Sequence, residues 1–155
     1  MSNSVKDITY QLYQDVSAGG VPIIIENGMP KLVIIDRLAI KDTSLPKGHQ
    51  KANESLQQTA TREVLEETGY KVEPVEYLGK FTYEVKNEEK KKITMVTVHW
   101  FLMIVKSGRP IKENKEIKRV RRLPLDFDLS ILSYENDRMF VEKARKRIGK
   151  YLSRK

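Results

Sequence analysis

The stretch "TREVLEETGY", residues 61–70, constrains the fold more tightly than any other part of the chain. At 3.6 residues per turn, Glu63, Glu66 and Glu67 stand at i, i+3 and i+4, so a helix stacks three carboxylates within about a third of its circumference. Ala60, Thr61, Val64, Leu65 and Thr68 fill the remaining sectors and offer a face for packing on a sheet. Leu56 falls on the acidic side in the first turn, where the preceding loop would cover it. Gly69 stops the helix with the residue best suited to left-handed backbone. Three like charges on one face repel, and Glu67 lies in the last turn, where the helix dipole opposes further negative charge. A solvated Glu-rich helix, with Arg62 pairing Glu66 at i+4, is one explanation. The other is a site for a hard cation, because oxygen-only ligands select magnesium or manganese over zinc.

The acidic face is out of character with the whole. Lys and Arg number 29 against 21 Asp and Glu, and the net charge of +8 favours an anionic partner such as a nucleotide, RNA, an inositol phosphate or a membrane surface without choosing among them. Cysteine is absent, which excludes disulfides, thiolate ligands and a cysteine nucleophile. The apolar runs "VPIII" and "KLVII" are too short to span a bilayer, and the N-terminus has no basic region followed by an apolar one, so a soluble cytoplasmic protein with no membrane partner is expected.

β-Branched and aromatic runs predict strands at about 15–25, 31–37, 76–86, 93–106 and 117–123. Asn27-Gly28 marks a hairpin between the first two, and "KNEEKKK" reads as the solvated tip of another. Helices are expected from about Ser55 to Thr68 and from Glu135 to near the end, the latter burying Met139, Phe140, Ala144 and Ile148. With 155 residues there is room for one domain, of α+β or mixed α/β class.

Extended upstream, the stretch becomes "GHQKANESLQQTATREVLEETGY" and resembles the box of the Nudix hydrolase family: Gly, five residues, Glu, seven residues, Arg-Glu, an apolar residue, any residue, Glu-Glu, any residue, Gly and an apolar residue. Gly48, Glu54, Arg62, Glu63, Val64, Glu66, Glu67, Gly69 and Tyr70 fill those places. Seven fixed identities at fixed spacing arise by chance at odds of about 10⁻⁸ per starting position, which rules coincidence out. Weaker likeness continues through "YLGKFTYEV", "EIKRVRRLPL" and "LSYENDRMFVEKA". The resemblance implies an α/β fold, the Nudix α/β/α sandwich around a mixed central sheet, over 15–155, with residues 1–14 as an N-terminal extension.

The resemblance also implies hydrolysis of a nucleoside diphosphate linked to another group, with Mg2+ or, in its place, Mn2+, and no organic cofactor. It makes Glu63 and Glu67 the leading metal ligands, Glu66 a direct or water-mediated third, and the backbone carbonyl of Lys47 a further one. Arg62 would orient a box carboxylate and Glu54 would brace the loop. Glu116 matches the carboxylate that some families add before the last core strand, as ligand or general base; Glu63 and Glu66 are the other candidates for the base. Lys47 and His49 are candidate phosphate contacts, whereas His99 reads as structural. Within the family, "LPKGH" and "LSYENDRMFVEKA" look most like hydrolases of dinucleoside polyphosphates, with diphosphoinositol polyphosphate hydrolases close behind. Lys51 and Asn53 replace usual acidic and glycine residues, Arg122 stands where many relatives carry Trp, and Arg119 where an acid is frequent. Removal of pyrophosphate or cap from RNA 5′ ends, cleansing of damaged nucleoside triphosphates, and a non-catalytic nucleotide- or RNA-binding module are the rival readings.

Overall fold

A computed structural model describes residues 9–152. Seven strands form one mixed sheet: β1 (Gln11–Glu26), β2 (Met29–Arg37), β3 (Thr43–Ser44), β4 (Lys47–His49), β5 (Tyr70–Asn87), β6 (Lys92–Gly108) and β7 (Ile117–Pro124). Helix α1 (Leu56–Thr68) covers one face of the sheet, and α2 (Glu135–Arg147), continued by the short α3 (Gly149–Leu152), covers the other. The α/β/α sandwich expected from sequence is therefore present. Among the described residues, no helix is long and apolar enough to cross a membrane.

The order β3-β2-β1-β6-β5 is built on the β1–β2 and β5–β6 hairpins, which are joined through a parallel β1–β6 pair. Asn27 and Gly28, with φ of 53° and 78°, make the first hairpin turn. That hairpin then splays. β1 pairs with β2 only from Ile23 to Glu26, and beyond this point β3 pairs with β2 and β4 pairs with β1. The segment from Thr43 to His49 thus enters a gap in the sheet and delivers the start of the box beside α1. The two short strands were not expected from sequence, since neither is long enough to show a period of two.

Two observed bounds depart from expectation. β1 begins at Gln11 rather than about residue 15, because Gln11–Gln14 continue the parallel ladder with Lys92–Met95. β5 begins at Tyr70 rather than 76 and carries irregular pairing across Pro74, whose missing N–H breaks the ladder and hides the strand from a sequence reading.

The larger core lies under α2, where Phe140, Val141, Ala144 and Ile148 pack against Trp100, Leu102, Ile23 and Leu32. The Trp100 and Phe140 rings meet at 5.8 Å. Met139, expected in this core, is exposed, and Val141 takes the inward place. The smaller core joins Ala60 and Val64 of α1 to Ala18, Val33, Phe101 and Met103. Leu65, also expected to be packed, is exposed, whereas Leu56 packs against this core from the first turn.

Candidate active site

Helix α1 is fixed at both ends. Ser55 caps it by accepting from the Gln58 amide while the Gln58 side chain accepts from the Ser55 amide, a reciprocal capping box. Gly69 closes it at φ 90°, and its amide donates to the Leu65 carbonyl. A Cβ there would also collide with the Arg109 carbonyl, so glycine is required twice over. Thr59, Ala60, Val64 and Thr68 are buried, which turns the opposite, acidic face toward β4 and the open end of the sheet.

Arg62 organises that face. Its Nε and Nη2 donate to the two carboxylate oxygens of Glu54 at 2.6 and 2.9 Å, and Nη1 donates to Glu63 Oε2 at 2.7 Å and Glu66 Oε1 at 3.2 Å. Nη2 also reaches the His49 carbonyl at 2.9 Å. These five contacts match the five N–H donors of a guanidinium, a geometry a lysine cannot reproduce. The hydrogen bonds from Arg62, with one from the Lys51 amide, hold the Glu54 carboxyl down at about 2. Glu54 is the brace of the loop, as its place in the sequence suggests.

Glu63 and Glu67 face the loop from α1. Gly48 permits this approach, because a Cβ on residue 48 would occupy the space of the Glu63 carboxylate. Glu67 accepts from the Lys47 amide at 2.9 Å and is half-buried. Desolvation by the surrounding protein raises its carboxyl to about 8; the neighbouring Glu63 charge acts in the same direction, against the Lys47 amide.

A cavity of about 630 Å³ opens over this pair. Glu63, Glu67 and Glu116 line it together with Arg37, Lys47, His49 and Lys51, so carboxylates and cations face one space. Glu116, brought from the segment before β7, is therefore in the cavity with the box residues. Glu66 is not among its lining residues; its side chain is 53% exposed and engaged by Arg62. His49 Nδ1 lies 2.8 Å from Asp15 of β1, while His99 stands outside the cavity, 2.9 Å from the Tyr77 hydroxyl.

Arg37 and Asp15 were not singled out from sequence. Arg37 ends the buried run "LVIID", and such a charge at the end of a core strand is the signal that marks it. Asp42 grips it through Nε at 2.7 Å and Nη2 at 2.5 Å, and Tyr134 donates to the same Asp42 carboxylate. These carboxylate bonds keep Arg37 charged and fix its direction. A second cavity, of about 390 Å³, adjoins the first through Arg37, Lys47 and Tyr83 and is otherwise walled mainly by Phe81, Tyr134 and the N-terminus of α2.

The donor set suits a hard divalent cation. Glu63 and Glu67 supply oxygens, the Glu63 charge adds to the desolvation that raises Glu67, and the bare backbone at Gly48 lets the Glu63 carboxylate stand against the loop. Among the described residues, no three acidic or imidazole side chains already converge as a closed cage. A divalent cation held by two carboxylates would keep part of its water shell.

Comparison with known proteins agrees with this geometry. Residues 16–140 match the NUDIX domain. The chain is 34% identical over 119 residues to the proposed mutator protein MutT4 of Mycobacterium tuberculosis (strain CDC 1551 / Oshkosh), covering 77% of this chain and 47% of that protein. It is 29% identical over 117 residues to an 8-oxo-(d)GTP phosphatase of Mycolicibacterium smegmatis, covering 76% of this chain and 34% of that protein. The chain thus spans about half or less of the length of these curated relatives. Its fold is similar to that of a C. elegans Ap4A hydrolase binary complex, with a TM-score of 0.67 and 18% identity over 88% of this chain and 98% of that one. The family match runs through the loop, the helix and the strands that together build the cavity, and the chain belongs to the Nudix hydrolase family.

Proposed function

We propose that this protein is a divalent-metal-dependent pyrophosphohydrolase that cleaves a phosphoanhydride bond in a nucleotide. The observation that carries the reading is the desolvated Glu67 carboxylate beside Glu63, both facing a cavity shared with Arg37, Lys47 and Lys51. Glu63 and Glu67 would hold the cation, with the Lys47 carbonyl beside them and Glu66 contributing through water. The chemistry such a cation supplies is neutralisation of charge on phosphate oxygens and activation of water. Arg62 keeps Glu63 in place, and Glu54 keeps Arg62 in place.

Arg37, pre-aimed by Asp42, and Lys47 bind and orient the phosphate chain. His49, steadied by Asp15, presents its ring to the same space. Glu116 takes the proton from the attacking water: it lines the cavity, whereas Glu63 is engaged by Arg62 and Glu66 lies outside. The adjoining aromatic cavity accepts the base, since Phe81, Tyr83 and Tyr134 offer ring faces for stacking.

Two nucleotide classes fit. The curated relatives carry names that favour an oxidised nucleoside triphosphate, while "LPKGH" and the α2 segment favour a dinucleoside polyphosphate. A panel of nucleoside triphosphates, 8-oxo-dGTP, diadenosine polyphosphates, inositol pyrophosphates and triphosphorylated RNA, each with Mg2+ and with EDTA, tests the proposal. Metal-dependent phosphate or pyrophosphate release from a nucleotide is expected. Binding without turnover across the panel would make the protein a nucleotide-binding module instead.

A further inference from the structure

The sheet has two outer edges, β5 on one side and β7 on the other. An edge strand leaves its outward N–H and C=O groups free to pair with another chain, and proteins commonly guard such edges with charge. β7 is guarded. Lys118, Arg119, Arg121 and Arg122 stand about Val120 with no acid in the strand, so a second copy laid antiparallel there would set cation against cation. β5 differs. α2 and α3 engage it as far as Leu78, where Lys143 donates to the Leu78 carbonyl at 3.2 Å and Tyr151 to the Val75 carbonyl at 3.3 Å. From Lys80 to Lys86, among the described residues, its backbone pairs with β6 alone.

We propose that this free stretch pairs antiparallel with the same stretch of a second copy, about a two-fold axis at Thr82, and that the protein forms a homodimer through one continuous sheet.

The sequence Lys80-Phe81-Thr82-Tyr83-Glu84 is complementary to itself when reversed. With the two copies of Thr82 opposite one another, Lys80 meets the partner's Glu84 and Glu84 meets the partner's Lys80 on one face of the sheet. On the other face Phe81 meets the partner's Tyr83, and Tyr83 the partner's Phe81. Opposite charges and aromatic rings are the cross-strand pairs that favour an antiparallel ladder.

The side chains are available for these contacts. Lys80 and Glu84 are exposed, and among the described residues neither makes an ion pair. Four residues apart on one strand, about 13 Å, they cannot reach each other. Phe81 is 38% exposed beside the Tyr83 ring, 6.5 Å away between centroids. Thr82, bonded to Thr97 at 2.8 Å, brings no charge to the axis to repel its copy.

The register is selective. Sliding the copies by one step sets Lys80 opposite Thr82 in one direction, which forfeits both ion pairs, and opposite Lys86 in the other, which makes the contact repulsive. The ladder ends where Lys143 reaches the strand, so it is short, and the dimer is one that dissociates at micromolar concentration rather than an obligate one. Phe81 and Tyr83 also wall the second cavity, so in the dimer the partner's rings extend that wall.

Sedimentation velocity of the full chain, from low-micromolar to sub-millimolar concentration, tests the pairing in wild type, Lys80→Glu, Glu84→Lys, the double exchange Lys80→Glu/Glu84→Lys and an equimolar mixture of the two single variants. Wild type passes from 18.0 kDa to twice that mass. Each single reversal sets like charges opposite at both symmetric contacts and raises the Kd of the dimer by about tenfold or more. The double exchange and the mixture restore opposite charges at both contacts and return the Kd to near the wild-type value, which also shows that the single variants fold. A wild type that stays at 18.0 kDa throughout overturns the proposal and leaves the edge to a strand of another protein. A dimer that both single reversals leave unchanged overturns it by placing the contact elsewhere, and a dimer that they weaken without rescue by the mixture overturns this register.

Discussion

Replacing Glu67 by Gln should stabilise the metal-free protein while abolishing its response to metal, a pairing of effects that an ordinary surface glutamate would not show. The Glu67 carboxyl is raised from 4.5 to about 8, so near pH 7 the folded protein holds a proton that the unfolded chain has released. The sign follows from linkage: a group with a raised folded pKa gives stability that is complete below about 4.5 and is lost as pH climbs through about 8. At pH 7 the loss amounts to about 3 kcal/mol, a ceiling because water in the cavity screens the carboxylate. Glutamine carries no charge to desolvate, and its carbonyl can still accept from the Lys47 amide.

For a domain of this size about 1 kcal/mol moves Tm by 2–4 °C, so the variant in EDTA at pH 7 should melt above wild type by up to roughly 6–12 °C. The gap should close toward pH 4.5 and reach its plateau above pH 8. Millimolar Mg2+ should raise the wild-type Tm and leave the variant unmoved, since only a protein that binds the ion gains from it. Thermal melts across pH 4.5–9, with and without Mg2+, provide the check. A variant no more stable than wild type at pH 8, or a gap that does not widen with pH, would refute the claim that Glu67 is buried at a cost the cation relieves.

Three further substitutions probe neighbouring parts of the site. Gly48→Ala puts a methyl group where the Glu63 carboxylate lies, and should cut nucleotide hydrolysis at least tenfold with little change in far-UV circular dichroism; unchanged kcat/KM would show that Glu63 need not stand there. Arg62→Ala removes the main partner of Glu54, whose carboxyl should rise from about 2 toward but not to 4.5 by carboxylate carbon NMR, since the Lys51 amide and Thr59 hydroxyl still donate to it, and turnover should fall as Glu63 loses its hold. Asp137 is buried beneath the Leu45 amide, and desolvation raises it to about 6. Its contribution to stability is complete below about 4 and is lost as pH rises through 6, so the stability of Asp137→Asn relative to wild type should rise by on the order of 3 kcal/mol between pH 4 and 7. Urea denaturation at several pH values measures this, and a flat difference would contradict it.

The residues legible in sequence were those held by local periodicity. Helix α1, its cap at Gly69, and the placement of Glu63, Glu66 and Glu67 on one face follow from a spacing of 3.6, and the box pattern added Gly48, Glu54 and Arg62. What escaped notice depends on tertiary placement. Leu65 and Met139 are apolar residues at helical spacing that stay exposed, while Val141 is buried in the core that also holds Trp100 and Phe140. The strands at Thr43–Ser44 and Lys47–His49 exist because the β1–β2 hairpin splays, and no local pattern announces that opening. Arg37 and Asp15 join the site through that same opening, from strands whose periodicity speaks only of a core. Glu66 shows the converse: its place in the box is unmistakable, yet its side chain is half exposed and bonded to Arg62 rather than lining the cavity.

The opening in the sheet also explains how a basic protein tolerates a desolvated acidic pair. Were β2 to pair with β1 along its whole length, the Lys47 amide would have no place beside α1, and Glu67 would lose the one backbone donor that holds it. Arg62 has all five donors committed, so it cannot move to neutralise Glu67 without releasing Glu54 or Glu63. Arg37 is likewise committed to Asp42. With Arg62 and Arg37 fixed by other carboxylates, and Lys47 offsetting only part of the desolvation of Glu67, the remaining remedies for the Glu67 charge are a proton or a metal ion. A proton leaves the cavity with one oxygen ligand fewer; a dication restores it and adds positive charge where a phosphate chain must lie. The arrangement therefore makes metal-free stability and metal affinity opposing quantities, and ties both to a single side chain.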